Sequence, residues 1–324
     1  MPCLFPNLAP YHTGFLDRGD GNRIFFALSG NPHGKPALLL HGGPGSGISE
    51  SARRHFDPDL WHIIQFDQRG CGKSTPSAAD FANTLSDNTT DHLIGDIEAL
   101  RYMLGLDRWL VFGTSWGATL ALVYAQAFSH SVEGTVLAGV TTTRWEEIDW
   151  LYNGMRLFLP EAHHRFIAAI PAHLREHHPV TAYHALLNDS DPAVRQKAAF
   201  DWHFWEAGSI SAEKQDGGMA DLPERWRDPV FVLARARLCA HYFHHRAWLA
   251  DRQIIDNASK LSGITGVLIQ GRLDLQGPPK TAYELFREWP TSELVMLDEA
   301  GHSTGDRGMA AAIMAAIDRF AKTA

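Results

Sequence analysis

The sequence predicts an α/β protein, a mainly parallel sheet flanked by helices and interrupted by a helical insertion. Three observations carry this. Short, wholly apolar runs alternate with helical patterns, as strands buried on both faces of a parallel sheet require. Glycine-rich turns follow two of these runs, at 41–45 and 113–117. The long interval 141–255 is rich in Trp, His and Arg and offers no convincing strand.

Arg23 to Leu28 reads as an early strand, Ala37 to Leu40 as a short apolar run and His62 to Phe66 as another. Leu93 to Leu104 has helical spacing, and Leu110 to Phe112 and Thr135 to Val140 add two strands. After the interval, Gly266 to Gln270 and Leu294 to Leu297 resume the strand pattern, and Met309 to Phe320 closes with a helix. Within the interval, Asp191-Pro192 has the form of an N-cap followed by Pro at the first helical position. Val194, Ala198, Trp202 and Trp205 then recur at helical spacing. The reading is therefore a core formed by 1–140 and 256–324, with 141–255 as an inserted helical cap. The polar stretch Ser211 to Leu222, with Gly217-Gly218, reads as a mobile loop of that cap. Trp109 to Phe128 carries no charge and is long enough to span a bilayer. Gly113-Thr114-Ser115 and Gln126 break it, so it reads as strand, turn and buried helix.

The chain has 324 residues, 45% of them apolar, enough for a large core. Its 29 basic and 37 acidic residues leave a net charge of −8. There is no basic block or RNA-binding signature, which argues against a nucleic-acid partner. Cys3, Cys71 and Cys239 are too few and scattered for a disulfide framework or a zinc site, and fit a reducing, cytoplasmic setting. The N-terminus has no positive region leading into an apolar one, so no signal peptide is expected.

Gly113-Thr114-Ser115-Trp116-Gly117 matches the nucleophile elbow G-x-S-x-G. A strand turning sharply into a helix holds the serine in a strained conformation, and side chains at the flanking positions would collide. The hydroxyl is lifted clear of the sheet, and the Trp116 N–H is left to stabilise an oxyanion. His41-Gly42-Gly43-Pro44-Gly45 lacks the Lys and Ser/Thr of a phosphate loop. It suits the second oxyanion donor, assigned to Gly43 with Gly42 as the alternative, while His41 braces the loop. Asp274 and His302 each lie just past a strand. Serine, acid and histidine thus follow the order of the α/β-hydrolase fold. His302 would take the serine proton and Asp274 would fix its tautomer. Glu299, the competing acid, is too close to His302 in sequence to reach the ring from the far side. Asp67 to Ser74 reads as a hydrogen-bonded floor beneath the site. His241, His244 and His245 share a helical face but have no acidic partner nearby, so they read as packing or cap surface. No feature demands a metal or an organic cofactor.

Together these blocks resemble the proline iminopeptidases, α/β-hydrolases that remove an N-terminal proline from peptides. The resemblance rests on His41 to Gly45, Asp67 to Gly70, Gly113 to Leu120, Gly271-Arg272-x-Asp274 and Gly301 to Ser303, and runs from about Gly21 to Phe320. It implies that acidic cap side chains hold the substrate's α-amino group. Glu206 matches the first of them, against the alternative of a surface glutamate. The second, a little before a His-Tyr-Phe, is Cys239 here, and a neutral thiol cannot pair with an ammonium. Two positions of the proline pocket also depart. Thr141 stands where an aromatic is expected, and Gly277 stands where a cysteine is expected three residues after the aspartate. Tyr152 and Phe243 match pocket aromatics. The resemblance therefore implies a Ser-His-Asp hydrolase of an amide after a single aminoacyl group, and the smaller residues imply a wider or longer pocket, able to take another aminoacyl group or a bulky leaving group. Its substrate would be a small molecule or short peptide with a free amine. An esterase, or a biosynthetic amidase acting on a non-peptide acyl group, uses the same triad. A binding protein that has lost catalysis is disfavoured by the complete triad.

Overall fold

The computed structural model describes residues 4–210 and 224–322. Cys3 and the stretch Ser211 to Leu222 lie outside these residues. Eight strands form one sheet: β1 (His12–Asp17), β2 (Arg23–Gly30), β3 (Lys35–Leu40), β4 (Trp61–Phe66), β5 (Trp109–Thr114), β6 (Val132–Ala138), β7 (Thr265–Gly271) and β8 (Ser292–Leu297). Their spatial order is β1-β2-β4-β3-β5-β6-β7-β8. β2 runs antiparallel to β1 and β4, and every pair from β4 to β8 is parallel. The chain has the α/β-hydrolase architecture, a mostly parallel sheet with helices on both faces.

Period-two alternation sorts the strand residues between two cores. Leu38, Leu40 and Val111 pack with helices α2 (Thr90–Met103) and α3 (Trp116–Ala127). Ala37, Leu39, Leu110 and Phe112 face the other way and pack with Ile313 and Ile317 of the C-terminal helix, Met309–Ala321. The short α1 (Glu50–Arg53) precedes β4. Between β6 and β7 the described residues hold helices and no strand: α4 (Trp145–Tyr152), α5 (Pro160–Ala168), α6 (Pro179–Leu187), α7 (Pro192–Ala207), α8 (Pro229–His244) and α9 (Gln253–Asp256). α10 (Pro279–Glu288) and α11 (Met309–Ala321) complete the chain. The expected cap of α7 is present: the Asp191 carboxylate accepts from Ala193 N at 2.8 Å, with Pro192 at the first helical position.

The helices between β6 and β7 build their own apolar cluster around Tyr152, Trp202, Trp205 and Phe243. α8 belongs to two cores at once. Ala234, Leu238 and Tyr242, one turn apart, pack into the sheet's core, while Val232, Ala236, Cys239 and Phe243 pack into the helical cluster. No helix among the described residues is long and apolar enough to cross a membrane.

Three details differ from the sequence expectation. β1 was not foreseen, because at the sheet edge only Leu16 is buried and no apolar run results. β6 ends at Ala138 rather than Val140, because Gly139 adopts φ 59° and turns the chain away. α3 begins at Trp116, directly after the serine, so the turn between strand and helix is Ser115 alone.

Candidate active site

Parallel strands end on the same edge, and the loops after β3, β5, β7 and β8 meet there. Ser115 lies between β5 and α3 with φ 56° and ψ −124°, a strained geometry for a residue with a side chain. A methyl on Gly113 would collide with the Gly117 carbonyl, and one on Gly117 with the Leu40 carbonyl. The two glycines therefore allow the elbow to pack against β3.

The Asp274 carboxylate is buried. Its Oδ2 accepts from His302 Nδ1 at 2.7 Å and from Gln270 Nε2 at 2.9 Å, and its Oδ1 accepts from Gly277 N at 2.8 Å. Gln270 in turn accepts from Val140 N at 2.7 Å, so the carboxylate is fixed from three sides. Burial works to lower the His302 pKa, but the charge and hydrogen bond of Asp274, with Asp306 and Glu206 beyond, outweigh it and raise it. Glu299 is exposed and pairs with Arg307 at 2.8 Å, away from the ring.

Ser115 and His302 open onto a cleft of about 520 Å³ that is also lined by Gly42, Gly43 and Trp116. Among the described residues neither the Gly43 nor the Trp116 N–H donates a hydrogen bond. A methyl on Gly42 would come 3.3 Å from Ser115 Cβ, so this loop lies against Ser115. Gln68 links the two segments: its Oε1 accepts from the Trp116 indole at 2.9 Å, and its Nε2 donates to His41 O at 3.1 Å. Gln68 N also donates to His41 Nε2 at 3.2 Å, and burial lowers that ring's pKa. Beneath, Asp67 accepts from Ile48 N and Lys73 N, and Arg69 forms two bonds to Asp96 at 2.7 and 2.8 Å.

Of the remaining expected residues, Glu206, Thr141 and Phe243 line the cleft. Tyr152, Cys239 and Gly277 do not. Tyr152 stands behind Glu206 and donates to its Oε1 at 2.8 Å. The buried Cys239 thiol donates to Pro44 O at 3.1 Å and braces the Gly43 loop from α8. Gly277 lies against Asp274, where a methyl would come 3.0 Å from Thr141 Cγ2. Glu206 is itself buried, and its Oε1 also accepts from Trp202 Nε1 at 3.0 Å. Its Oε2 is ion-paired with Arg235, a residue the sequence reading passed over. Arg235 and Arg225 both line the cleft. The only signal was an arginine one helical turn before Cys239.

His184, absent from the sequence argument, joins the histidine cluster and stacks on His244 with centroids 4.3 Å apart. Ring nitrogens of His184, His241 and His245 come within 4.8 Å of one another, close enough for side chains that could hold a transition metal. Burial and neighbouring imidazoles lower His184 to about 3 and His241 to about 4, and burial lowers His244 and His245 as well.

A family model for the alpha/beta hydrolase fold matches residues 35–306. A probable proline iminopeptidase of Streptomyces coelicolor is 44% identical, the match covering 98% of each chain. A proline iminopeptidase of Xylella fastidiosa is 40% identical, over 99% of this chain and 100% of the relative. One from Arabidopsis thaliana is 39% identical, over 98% and 82%. Among solved structures, a Mycobacterium smegmatis proline iminopeptidase superposes with a TM-score of 0.62 at 20% identity, over 96% of this chain and 97% of the other.

Proposed function

This chain belongs to the proline iminopeptidase family of α/β-hydrolases, and on that premise we propose that it hydrolyses the amide bond after a single N-terminal aminoacyl group. The observation that carries the reading is the Asp274–His302 hydrogen bond of 2.7 Å, opening onto the same cleft as the strained Ser115. His302 Nε2 accepts the Ser115 proton as Oγ attacks the scissile carbonyl. The Gly43 and Trp116 N–H groups take the oxyanion, and His302 then gives its proton to the departing amine. A water activated by the same imidazole releases the acyl group from Ser115. Asp274 keeps Nδ1 protonated, so Nε2 is the basic nitrogen. A cleft of about 520 Å³ suits one residue and a short leaving group.

The substrate is a small peptide or peptide-like amide, and the setting is a reducing cytoplasm, consistent with buried, unpaired Cys71 and Cys239. The helical segment 141–255 serves as a cap over the cleft. A second reading, an esterase or biosynthetic amidase, is favoured by one observation. Glu206, matched to the family's amine anchor, already holds Arg235.

The test is a panel of aminoacyl-naphthylamides beside simple acyl esters, with wild type and Ser115→Ala. Turnover of free-amine amides is expected, reduced ~10⁴-fold or more in the variant with the fold intact. Activity within tenfold of wild type in Ser115→Ala would remove Ser115 as nucleophile. Hydrolysis of esters alone would favour the second reading.

A further inference from the structure

Two carboxylates face the cleft, and both have cationic partners. Glu147 Oε1 receives Arg144 Nε at 3.0 Å and also Thr142 and Thr281 hydroxyls at 2.7 Å. Glu206 receives Tyr152, Trp202 and Arg235. The cationic side is less fully engaged. Arg235 gives Nη1 to Glu206 and Nε to Ser46 Oγ at 3.2 Å, while its Nη2 has no hydrogen-bond partner among the described residues. Its guanidinium lies 4.8 Å from the centre of the Trp226 ring, which holds it flat. Arg225 makes one long bond, 3.3 Å, to Ser46 O and no ion pair with a described residue. Glu206, Arg225 and Arg235 together carry one net positive charge, with the Asp67 carboxylate also acting on Arg225 from the floor of the site.

The location ties that charge to the chemistry. A methyl on Gly45 would come 3.4 Å from Arg235 Cα, so α8 lies directly on the loop that supplies the Gly43 N–H. An ammonium approaching Glu206 meets a guanidinium already seated on it, and like charges at that range repel. A carboxylate would meet two guanidinium groups with donors that no described residue takes, and would form charge-assisted bonds without breaking the Glu206 pair.

We propose that the cleft selects acyl groups ending in a carboxylate, read by Arg235 with Arg225, so that γ-glutamyl or dicarboxylic acyl amides fit it better than prolyl amides. The inference rests on Ser115 as the nucleophile and changes only what the acyl pocket recognises. The shared chemistry is the terminal carboxylate. An amino-acid head group differs from a plain dicarboxylic acyl group by its neighbouring ammonium, which Glu206 would feel.

The experiment measures kcat/KM for four p-nitroanilides, γ-glutamyl, glutaryl, pentanoyl and prolyl, with p-nitrophenyl acetate as a control for Ser115 chemistry. In wild type the glutaryl amide should exceed the pentanoyl amide by roughly ten- to a hundredfold, the size of one charge-assisted hydrogen bond. Arg235→Gln should bring that ratio near one. Glu206→Gln, which frees the guanidinium, should raise it, and a merely structural pair would not move it in opposite directions. If γ-glutamyl exceeds glutaryl and Glu206→Gln erases the difference, the head group is an amino acid. If glutaryl matches γ-glutamyl, it is a dicarboxylic acyl group. Should Arg235→Gln fail to fold, the wild-type ratio and the response of Arg225→Gln still decide. A wild-type ratio near one, or prolyl as the best substrate, overturns the proposal while the Ser115 reading stands. Loss of acetate hydrolysis as well would overturn both.

Discussion

At the scale of single residues, His302 is placed between opposing influences. Burial favours the neutral ring, and Asp274 at 2.7 Å favours the charged one and prevails. In the proposed mechanism the imidazole must be neutral to accept the Ser115 proton. Because its pKa lies above the ordinary value of about 6.5, kcat/KM should rise with pH and level off only above that value. Steady-state rates from pH 5 to 9 on a substrate without ionisable groups, such as a pentanoyl amide, are the measurement. A profile flat across this range, with chemistry rate-limiting, would exclude His302 as the base. Asp274→Asn should lower turnover by ~10⁴-fold. The amide would present a donor to Nδ1 and place the proton on the wrong nitrogen.

At the scale of elements, the β5–Ser115–α3 turn depends on the missing side chains at Gly113 and Gly117. Gly117→Ala forces the helix away from the Leu40 carbonyl. The overpacking should cost about 1–3 kcal/mol. A displacement of Ser115, the proposed nucleophile, by ~1 Å should reduce turnover ~100-fold. Thermal unfolding and kcat/KM report the two effects separately. An unchanged rate would mean that the turn yields without moving Ser115. This turn was legible in sequence because G-x-S-x-G between an apolar strand and a helix is a local pattern. Asp274 and His302 were legible by their order and by their places after strands. β1 was not, because an edge strand with one buried residue leaves no apolar trace. Arg235 was not either. An arginine among apolar helix residues shows its partner only when α7 and α8 are brought together, 29 positions apart in the chain. The Cys239 substitution was visible, but its neighbour decides the electrostatics.

At the scale of the whole molecule, the helices between β6 and β7 have an apolar cluster of their own, yet α8 supplies side chains to that cluster and to the core of the sheet. Unfolding one without the other would expose one face of α8. Chemical denaturation of the wild type should therefore give coincident transitions by tryptophan fluorescence and far-UV circular dichroism. Leu238→Ala, which opens a cavity on the shared helix, should lower both by about 2–5 kcal/mol. Transitions that separate in the wild type would show that the helical segment is an independent cooperative unit. The charge layout belongs to this scale too. A protein with net charge −8 keeps Arg225 and Arg235 in the lining of its cleft, so the proposed carboxylate-bearing substrate would bind against the overall field and with a local one. Added salt should accordingly alter its KM only modestly.

Gln68 joins the loop after β3 to the start of α3 by hydrogen bonds at both ends of its amide. Its consequence is one of timing. The Gly43 and Trp116 N–H groups proposed to take the oxyanion would otherwise fluctuate independently, and the pair would suit a tetrahedral intermediate only when both happened to be in place. With the bridge, thermal motion of one wall should carry the other with it and preserve the spacing from one turnover to the next. The site does not wait for its two halves to coincide.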